Sequence, residues 1–158
     1  MAKNVIPFEK GPDRDDQKTR KEGAMKHASF VITSTMAAKS SLLYHAFLDS
    51  AIHSEFTGSA AHIENRIGGK FTAWDGYISG KILELDEPRR IKQSWRTTDF
   101  SEGDEDSLLE IEFIERSGKT QVRLKHSNLP EGTGEEYKQG WKEFYLEPLA
   151  EYVKRQKP

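Results

Sequence analysis

The sequence predicts an α+β fold in which one antiparallel β-sheet is closed by a long amphipathic helix at the C-terminus. Short segments of alternating apolar and polar residues, separated by turn residues, fill the middle of the chain as in a meander of strands. Apolar and aromatic residues then recur every three or four positions from Thr133 to Arg155, as in a helix with one buried face. Because so large an apolar face needs a large partner, we expect this helix to pack against the sheet.

Composition indicates a single domain and disfavours several classes of partner. The chain has 158 residues, 35% of them hydrophobic, which suffices for one core. The 24 basic and 26 acidic side chains nearly cancel, which argues against nucleic acid and anionic membranes as partners. There is no cysteine for a disulfide or a thiolate site, and no apolar run has the length of a signal or a membrane span. We expect a cytoplasmic monomer without a cofactor.

The N-terminal segment differs in texture from the rest of the chain. Residues 1–25 mix charges, glycine and proline with few hydrophobic residues, so they lack the apolar area that offsets the entropy of ordering. We predict a flexible leader, with a partner-binding arm as the alternative. The folded domain is then expected to span residues 26–158.

The first part of the domain is predicted to be a strand followed by two helices. Residues 27–35 alternate as a half-buried strand does. Apolar residues at helical spacing follow, behind possible caps at Ser34 or Thr35, and indicate a helix of about three turns. A shorter helix is expected over residues 51–56, where a following glycine ends it.

Six strands are predicted between residue 59 and the C-terminal helix. The first four correspond to the segments SAAHIENRI, KFTAWD, YISGKILELD and RIKQSWRT. An acidic stretch over residues 99–106 predicts an exposed loop, and two further strands follow, joined by a hairpin turn at Ser117 and Gly118. Alternation places these hairpin residues on one inner face: Leu109, Ile111, Phe113, Val122, Leu124 and His126.

The C-terminal helix carries local signals of its own. Thr133 and Glu136 have the spacing of a capping box at its start. Pro148 has no amide hydrogen and crowds the preceding turn, so we expect a bend near residues 144–148. Gly140 leaves room beside Trp141, either for close contact with the sheet or for a ligand.

Several motifs in order resemble the activator of heat-shock protein 90 ATPase family, within the START-like superfamily. They are LLYHAFLDS, HSEFTG, GGKFTAWDGYISGKILEL, QSW, LKHSNLP and GWKEFYLEPLAEYV, and together they cover about residues 27–155. The resemblance implies a helix-grip (START-like, Bet v 1-like) fold, in which a curved sheet of about six or seven strands wraps around the last helix. It extends only to the C-terminal module of the family's full-length co-chaperones, so strong ATPase activation is not expected.

The resemblance also implies a place for function. Members of the superfamily share a cavity between sheet and last helix that holds hydrophobic ligands, sometimes remodelled for catalysis. Gln93 and His126 would be its inward-facing polar groups, able to orient a ligand. By this resemblance the cavity would be lined by Trp74, Ile91, Gln93, Trp95, Ile111, Phe113, Leu124, His126, Tyr137, Trp141, Phe144 and Tyr145.

Three hypotheses about function follow. The first is a non-catalytic protein that binds a small hydrophobic molecule in this cavity. The second is a co-chaperone-like module that binds heat-shock protein 90, with Arg90, Lys92 and Arg96 on one face of a strand as the partner-binding residues. The third is a hydrolase or cyclase that uses His126, for which no second catalytic group stands out.

A metal site is not predicted. The histidines and glutamates at residues 45–64 are near one another in sequence, but they lack a ligand spacing such as HxxxH. His62, Glu64 and Arg66 are instead expected to alternate along the solvent-facing side of a strand.

Overall fold

In the part of the chain that the structure describes, seven antiparallel strands form one sheet, as the helix-grip prediction requires. The computed structural model describes residues 27–156, and the predicted leader over residues 1–25 lies outside them. The strand order across the sheet is β1-β7-β6-β5-β4-β3-β2, so β1 and β2 are its edges. The strands are β1 His27–Met36, β2 His62–Ile63, β3 Lys70–Ala73, β4 Ile78–Asp86, β5 Arg90–Thr97, β6 Ser107–Arg116 and β7 Lys119–Pro130.

Helices lie in the two places where the sequence predicts them. Helix α1 (Ser40–Leu48) and helix α2 (Ser50–Thr57) connect β1 to β2. The chain is then helical from Gly134 to Arg155, in three consecutive parts that we call the C-terminal helix. These parts are α3 (Gly134–Trp141), a π-helical turn (Lys142–Leu146) and α4 (Glu147–Arg155).

The predicted cap of the first helix is wrong. Ser34 lies within β1, which continues to Met36 because it stays paired with β7. Helix α1 starts at Ser40, whose backbone amide and hydroxyl both donate to Glu115 Oε1, at 2.8 and 3.0 Å. These hydrogen bonds lower the pKa of the Glu115 carboxyl. The carboxylate of Glu115 on β6 therefore caps the start of α1, a role that ordinarily belongs to a residue just before the helix.

Helix α2 is one residue longer at each end than predicted, and it ends at the predicted glycine. The carboxylate of Asp49 accepts a hydrogen bond from the amide of Ile52 at 2.9 Å and caps its start. Gly58 ends it with a φ of 80°, the left-handed conformation that glycine adopts without steric cost.

The C-terminal helix differs from the prediction at its start and in its middle. Thr133 makes no capping hydrogen bond; its hydroxyl donates to the Pro130 carbonyl at 2.6 Å, so the capping box is wrong. The interruption expected near residues 144–148 takes the form of the π-helical turn. Pro148 has no amide hydrogen for the Phe144 carbonyl, and the regular α-helical pattern cannot pass through that position.

The strand prediction is most accurate at the β6–β7 hairpin. Arg116 pairs with Lys119, and the two-residue loop has both central residues left-handed, Ser117 at φ 52° and Gly118 at φ 80°. At the other edge the prediction is too long, because β2 contains only two residues. Glu64 lies beyond it and accepts a hydrogen bond from the Lys70 amide at 2.9 Å, so it does not share a strand face with His62.

Candidate functional site

The layer between the sheet and the C-terminal helix contains the side chains that were predicted to line a cavity. All of them are buried except Trp74 and Phe144, which are half-buried. Gln93 and His126 both point into this layer, as strand alternation predicts. The structure therefore brings the predicted residues together between the two elements named in the prediction.

The aromatic residues of this layer pack against one another. The ring centroid of Trp95 lies 4.5 Å from that of His126 and 5.4 Å from that of Tyr137. The ring of Trp141 lies 4.3 Å from Tyr145 and 5.9 Å from Trp95. These are the distances of aromatic pairs in direct contact. In this part of the layer, side chains occupy the space that a ligand would need.

His126 is fully buried and is hydrogen-bonded through both ring nitrogens. Trp141 Nε1 donates to His126 Nδ1 at 3.0 Å, and Ser107 Oγ lies 2.8 Å from His126 Nε2. The single hydroxyl hydrogen of Ser107 is directed to the carbonyl of Trp95 at 2.7 Å. Nε2 of His126 must therefore be the donor to Ser107, which fixes the neutral tautomer with its proton on Nε2.

This arrangement removes the basis of the hydrolase hypothesis. Burial lowers the pKa of His126 to about 3, so the ring is neutral near neutral pH. It has 0% exposure, its only lone pair accepts from Trp141, and its only proton is donated to Ser107. A general base must reach the proton that it abstracts, and this histidine has no route to a substrate. Its role in the structure is to join β6, β7 and the C-terminal helix.

His53 is a second buried histidine, which the sequence did not predict to lie in the interior. His53 Nδ1 donates to the Phe47 carbonyl at 3.0 Å, and its Nε2 accepts from the Tyr145 hydroxyl at 2.9 Å. Burial lowers the pKa of His53 to about 4 and raises that of the Tyr145 hydroxyl. The signal was present in the sequence, because His53 and Phe56 are three residues apart and both lie on the buried side of α2.

Trp74 and Phe144 form the least enclosed part of the layer. Their rings are 5.9 Å apart, and Trp74 follows β3 with a left-handed φ of 53°. The Trp74 Nε1 atom is buried and meets no acceptor in hydrogen-bond geometry, although the indole is near enough to the Tyr145 hydroxyl to offset part of the rise that burial causes in its pKa. Phe144 belongs to the π-helical turn. The left-handed backbone at Trp74 and the π-helical turn that contains Phe144 thus meet at the edge of the layer, which we call the rim.

The three predicted partner-binding residues lie together on the outer face of the sheet. We use the name outer face for Arg90, Lys92 and Arg96 with their acidic partners. The side chains of these three cations are between 25 and 30% exposed. Each makes an ion pair: Arg90 with Glu84 and Glu110, Lys92 with Glu84, and Arg96 with Asp106. The outer face is therefore a mixed-charge surface, not a purely basic one.

Residues 27–156 offer no metal site and no membrane-spanning helix. No group of three or more histidine, aspartate or glutamate side chains is placed there to hold a metal ion. Among these residues, His45 pairs with Glu87 at 3.0 Å, and His53 has the buried partners described above. No helix in this part of the chain is long and apolar enough to cross a membrane.

Comparison with known proteins identifies relatives of this chain. A family model described as Activator of Hsp90 ATPase homolog 1-like protein matches residues 37–154. The human activator of 90 kDa heat shock protein ATPase homolog 1 is 29% identical over 109 residues, which are 69% of this chain and 32% of that protein. The mouse homolog 2 is 31% identical over 107 residues, covering 68% and 32%. The chain thus spans about a third of the length of these relatives.

A solved structure is similar over most of both chains. The crystal structure of an HSP90 activator from Plasmodium falciparum is 30% identical with a TM-score of 0.75, covering 80% of this chain and 96% of that one. The shared fold agrees with the sheet order and the C-terminal helix described above. With the family model matching most of the chain, this protein belongs to the Activator of Hsp90 ATPase homolog 1-like family.

Proposed function

We propose that this protein binds Hsp90 through the outer face of its sheet and does not catalyse a reaction itself. The observation that carries the proposal is the match to the HSP90 activator from Plasmodium falciparum, because the match covers 96% of that protein's chain. Relatives that share about a third of their length with this chain are also named activators of the Hsp90 ATPase. The cytoplasmic location predicted from the sequence stays part of this proposal.

The contrast between the two sides of the sheet favours the outer face. On the inner side, aromatic rings contact one another and the polar groups of His126 are already bonded. On the outer side, ion pairs of β5 with β4, β6 and the loop before β6 leave part of each charged side chain exposed to a partner. Such a surface selects a partner with a complementary charge pattern, and the interaction weakens as salt screens the charges.

Charge reversal on the outer face tests this proposal. We expect R90E/K92E to weaken Hsp90 binding at least about tenfold at low ionic strength. The two introduced glutamates would repel the acidic groups of Hsp90 that Arg90 and Lys92 attract. Calorimetric titration measures the affinity, and circular dichroism verifies that each variant is folded. The control is K119E/K154E, which changes the net charge equally at exposed positions away from this face. Equal weakening in the control, or no binding by the unaltered protein, would contradict the proposal.

A second candidate function is binding of a hydrophobic molecule at the rim, where Trp74 meets Phe144. Its support is the unpartnered indole Nε1 of Trp74 beside a half-buried aromatic ring. We expect a fatty acid or a flavonoid to shift the Trp74 indole resonance saturably in an NMR titration. Phe144→Ala removes one wall and should weaken that binding, whereas the remote Lys154→Glu should not. Absence of saturable shifts for every compound would rule out this candidate.

A further inference from the structure

A groove runs along the open edge of strand β1, between the strand and the C-terminal helix. It has a volume of about 550 Å³. Four consecutive strand residues, 31–34, line one side of it. Because consecutive strand residues point to opposite faces of a sheet, a groove lined by all four must follow the edge of the strand rather than cover one face. The helix side is lined by Glu135, Lys138, Gln139, Lys142, Leu146, Glu147 and Ala150.

A β-bulge between Ala28 and Phe30 interrupts the start of this edge, but the rest of the strand has few of the features that usually protect an edge. Strand β1 is ten residues long, and among the described residues it pairs only with β7, on one side. Its sequence, HASFVITSTM, contains no lysine, arginine, aspartate, glutamate or proline, and β-branched residues occupy its centre. Val31 is 44% exposed. The opposite edge strand, β2, has only two residues, so β1 is the edge at which a further strand could pair over a useful length.

The charges beside the groove indicate what kind of strand would fit. Lys138 and Lys142 lie one helical turn apart at its centre, and within residues 27–156 neither makes an ion pair. This differs from the outer face, where the cations form ion pairs with acidic residues of a neighbouring strand or loop. Two lysines without an ion-pair partner among the described residues, beside an open edge, favour an acidic residue in the incoming segment.

The same charges argue against a second copy of this chain. Along the groove the order is Glu135, Lys138, Lys142, Glu147. Antiparallel pairing of two β1 strands about a two-fold axis would reverse this order in the partner. Each lysine would then face a lysine, and each glutamate a glutamate. A different chain, with acidic residues near the centre of its strand, avoids this repulsion.

We propose that β1 is a strand-addition site, at which an extended acidic segment of a partner protein pairs antiparallel or parallel to β1 as an eighth strand. Main-chain hydrogen bonds to the open edge supply affinity, as in other β-augmentation complexes. Lys138 and Lys142 supply selectivity by pairing with acidic side chains. The site is separate from the outer face and does not depend on whether Hsp90 binds there.

A peptide titration of the full chain tests the site. The probe is a capped peptide of about nine residues, close to the length of β1, with valine at alternate positions, glutamate at the two central intervening positions and serine at the outer two. We expect saturable binding by NMR and slowed hydrogen exchange of the β1 amides that point away from β7. K138E/K142E should weaken binding at least about tenfold, whereas R90E/K92E, with the same change in net charge, should leave it unchanged. K138Q/K142Q provides a milder variant if charge reversal impairs folding.

Several outcomes would overturn the proposal. One is equal binding of the same peptide with lysine in place of both glutamates. Another is slow hydrogen exchange of the β1 amides that point away from β7 before any peptide is added, which would mean that this chain covers its own edge. A third is a dimer in sedimentation that pairs through β1. An absence of binding to the acidic peptide would also reject it. Loss of Hsp90 binding in R90E/K92E with peptide binding intact would show that the two sites are independent.

Discussion

Replacing Trp141 by alanine is expected to lower the free energy of unfolding by about 3 to 5 kcal/mol, as large aromatic truncations in cores do. Trp141 is 1% exposed and its ring contacts those of Tyr145 and Trp95. The substitution also removes the indole proton from His126 Nδ1, which would then be a buried acceptor without a donor. Urea unfolding followed by circular dichroism measures the change.

Two further variants separate the loss of the buried ring from the loss of the hydrogen bond to His126. Trp141→Phe keeps an aromatic ring but loses the hydrogen bond to His126, so its loss of stability should be intermediate. Phe144→Ala truncates an aromatic residue of the same helix that is only half-buried, and its loss should be smaller. If Trp141→Ala left the unfolding midpoint unchanged, the helix face could not be buried against the sheet as described.

Acidification is expected to destabilise the protein before its carboxylates begin to titrate. The folded pKa values are about 4 for His53 and about 3 for His126, both below the 6.5 of an unperturbed histidine. Between these values and 6.5 the unfolded chain binds more protons than the folded one. The stabilisation is therefore complete above pH 6.5 and is lost as the pH falls towards the folded pKa values, by about 1.4 kcal/mol per pH unit for each histidine near pH 5.

Urea unfolding between about pH 7 and pH 5 measures this slope. Glu84 and Glu115 have lowered carboxyl pKa values, so their contribution to the pH dependence of stability falls below about pH 4.5, outside this window. His53→Gln supplies a neutral side chain with both a donor and an acceptor, so it should remove about half of the slope. A free energy of unfolding that stays constant across the window would show that the two histidines are not held neutral in the core.

The parts of the fold that depend on local pattern could be predicted from the sequence. Alternation placed Leu109 and His126 on the inner face, and the Ser117 and Gly118 turn fixed the register of β6 and β7. Helical spacing identified the C-terminal helix because its apolar stripe is continuous over many turns. In each case the signal is contained in neighbouring residues.

The parts that depend on tertiary partners could not be predicted. The acceptor at the start of α1 is Glu115, 75 residues away from Ser40. The tautomer of His126 depends on Ser107 and Trp141, and no spacing in the sequence reveals that both would contact it. Whether aromatic residues line a cavity or fill it depends on how their rings pack, which composition does not determine.

The most direct test of function is an NMR titration of the isotopically labelled protein with Hsp90. We predict saturable shifts in β5 around Arg90 and Lys92, with the indole resonances of Trp95 and Trp141 unchanged, because binding uses the outer face and leaves the packed layer intact. Shifts of those two indoles without any change in β5 would contradict an outer-face site. An absence of any shift at low salt would contradict Hsp90 binding itself.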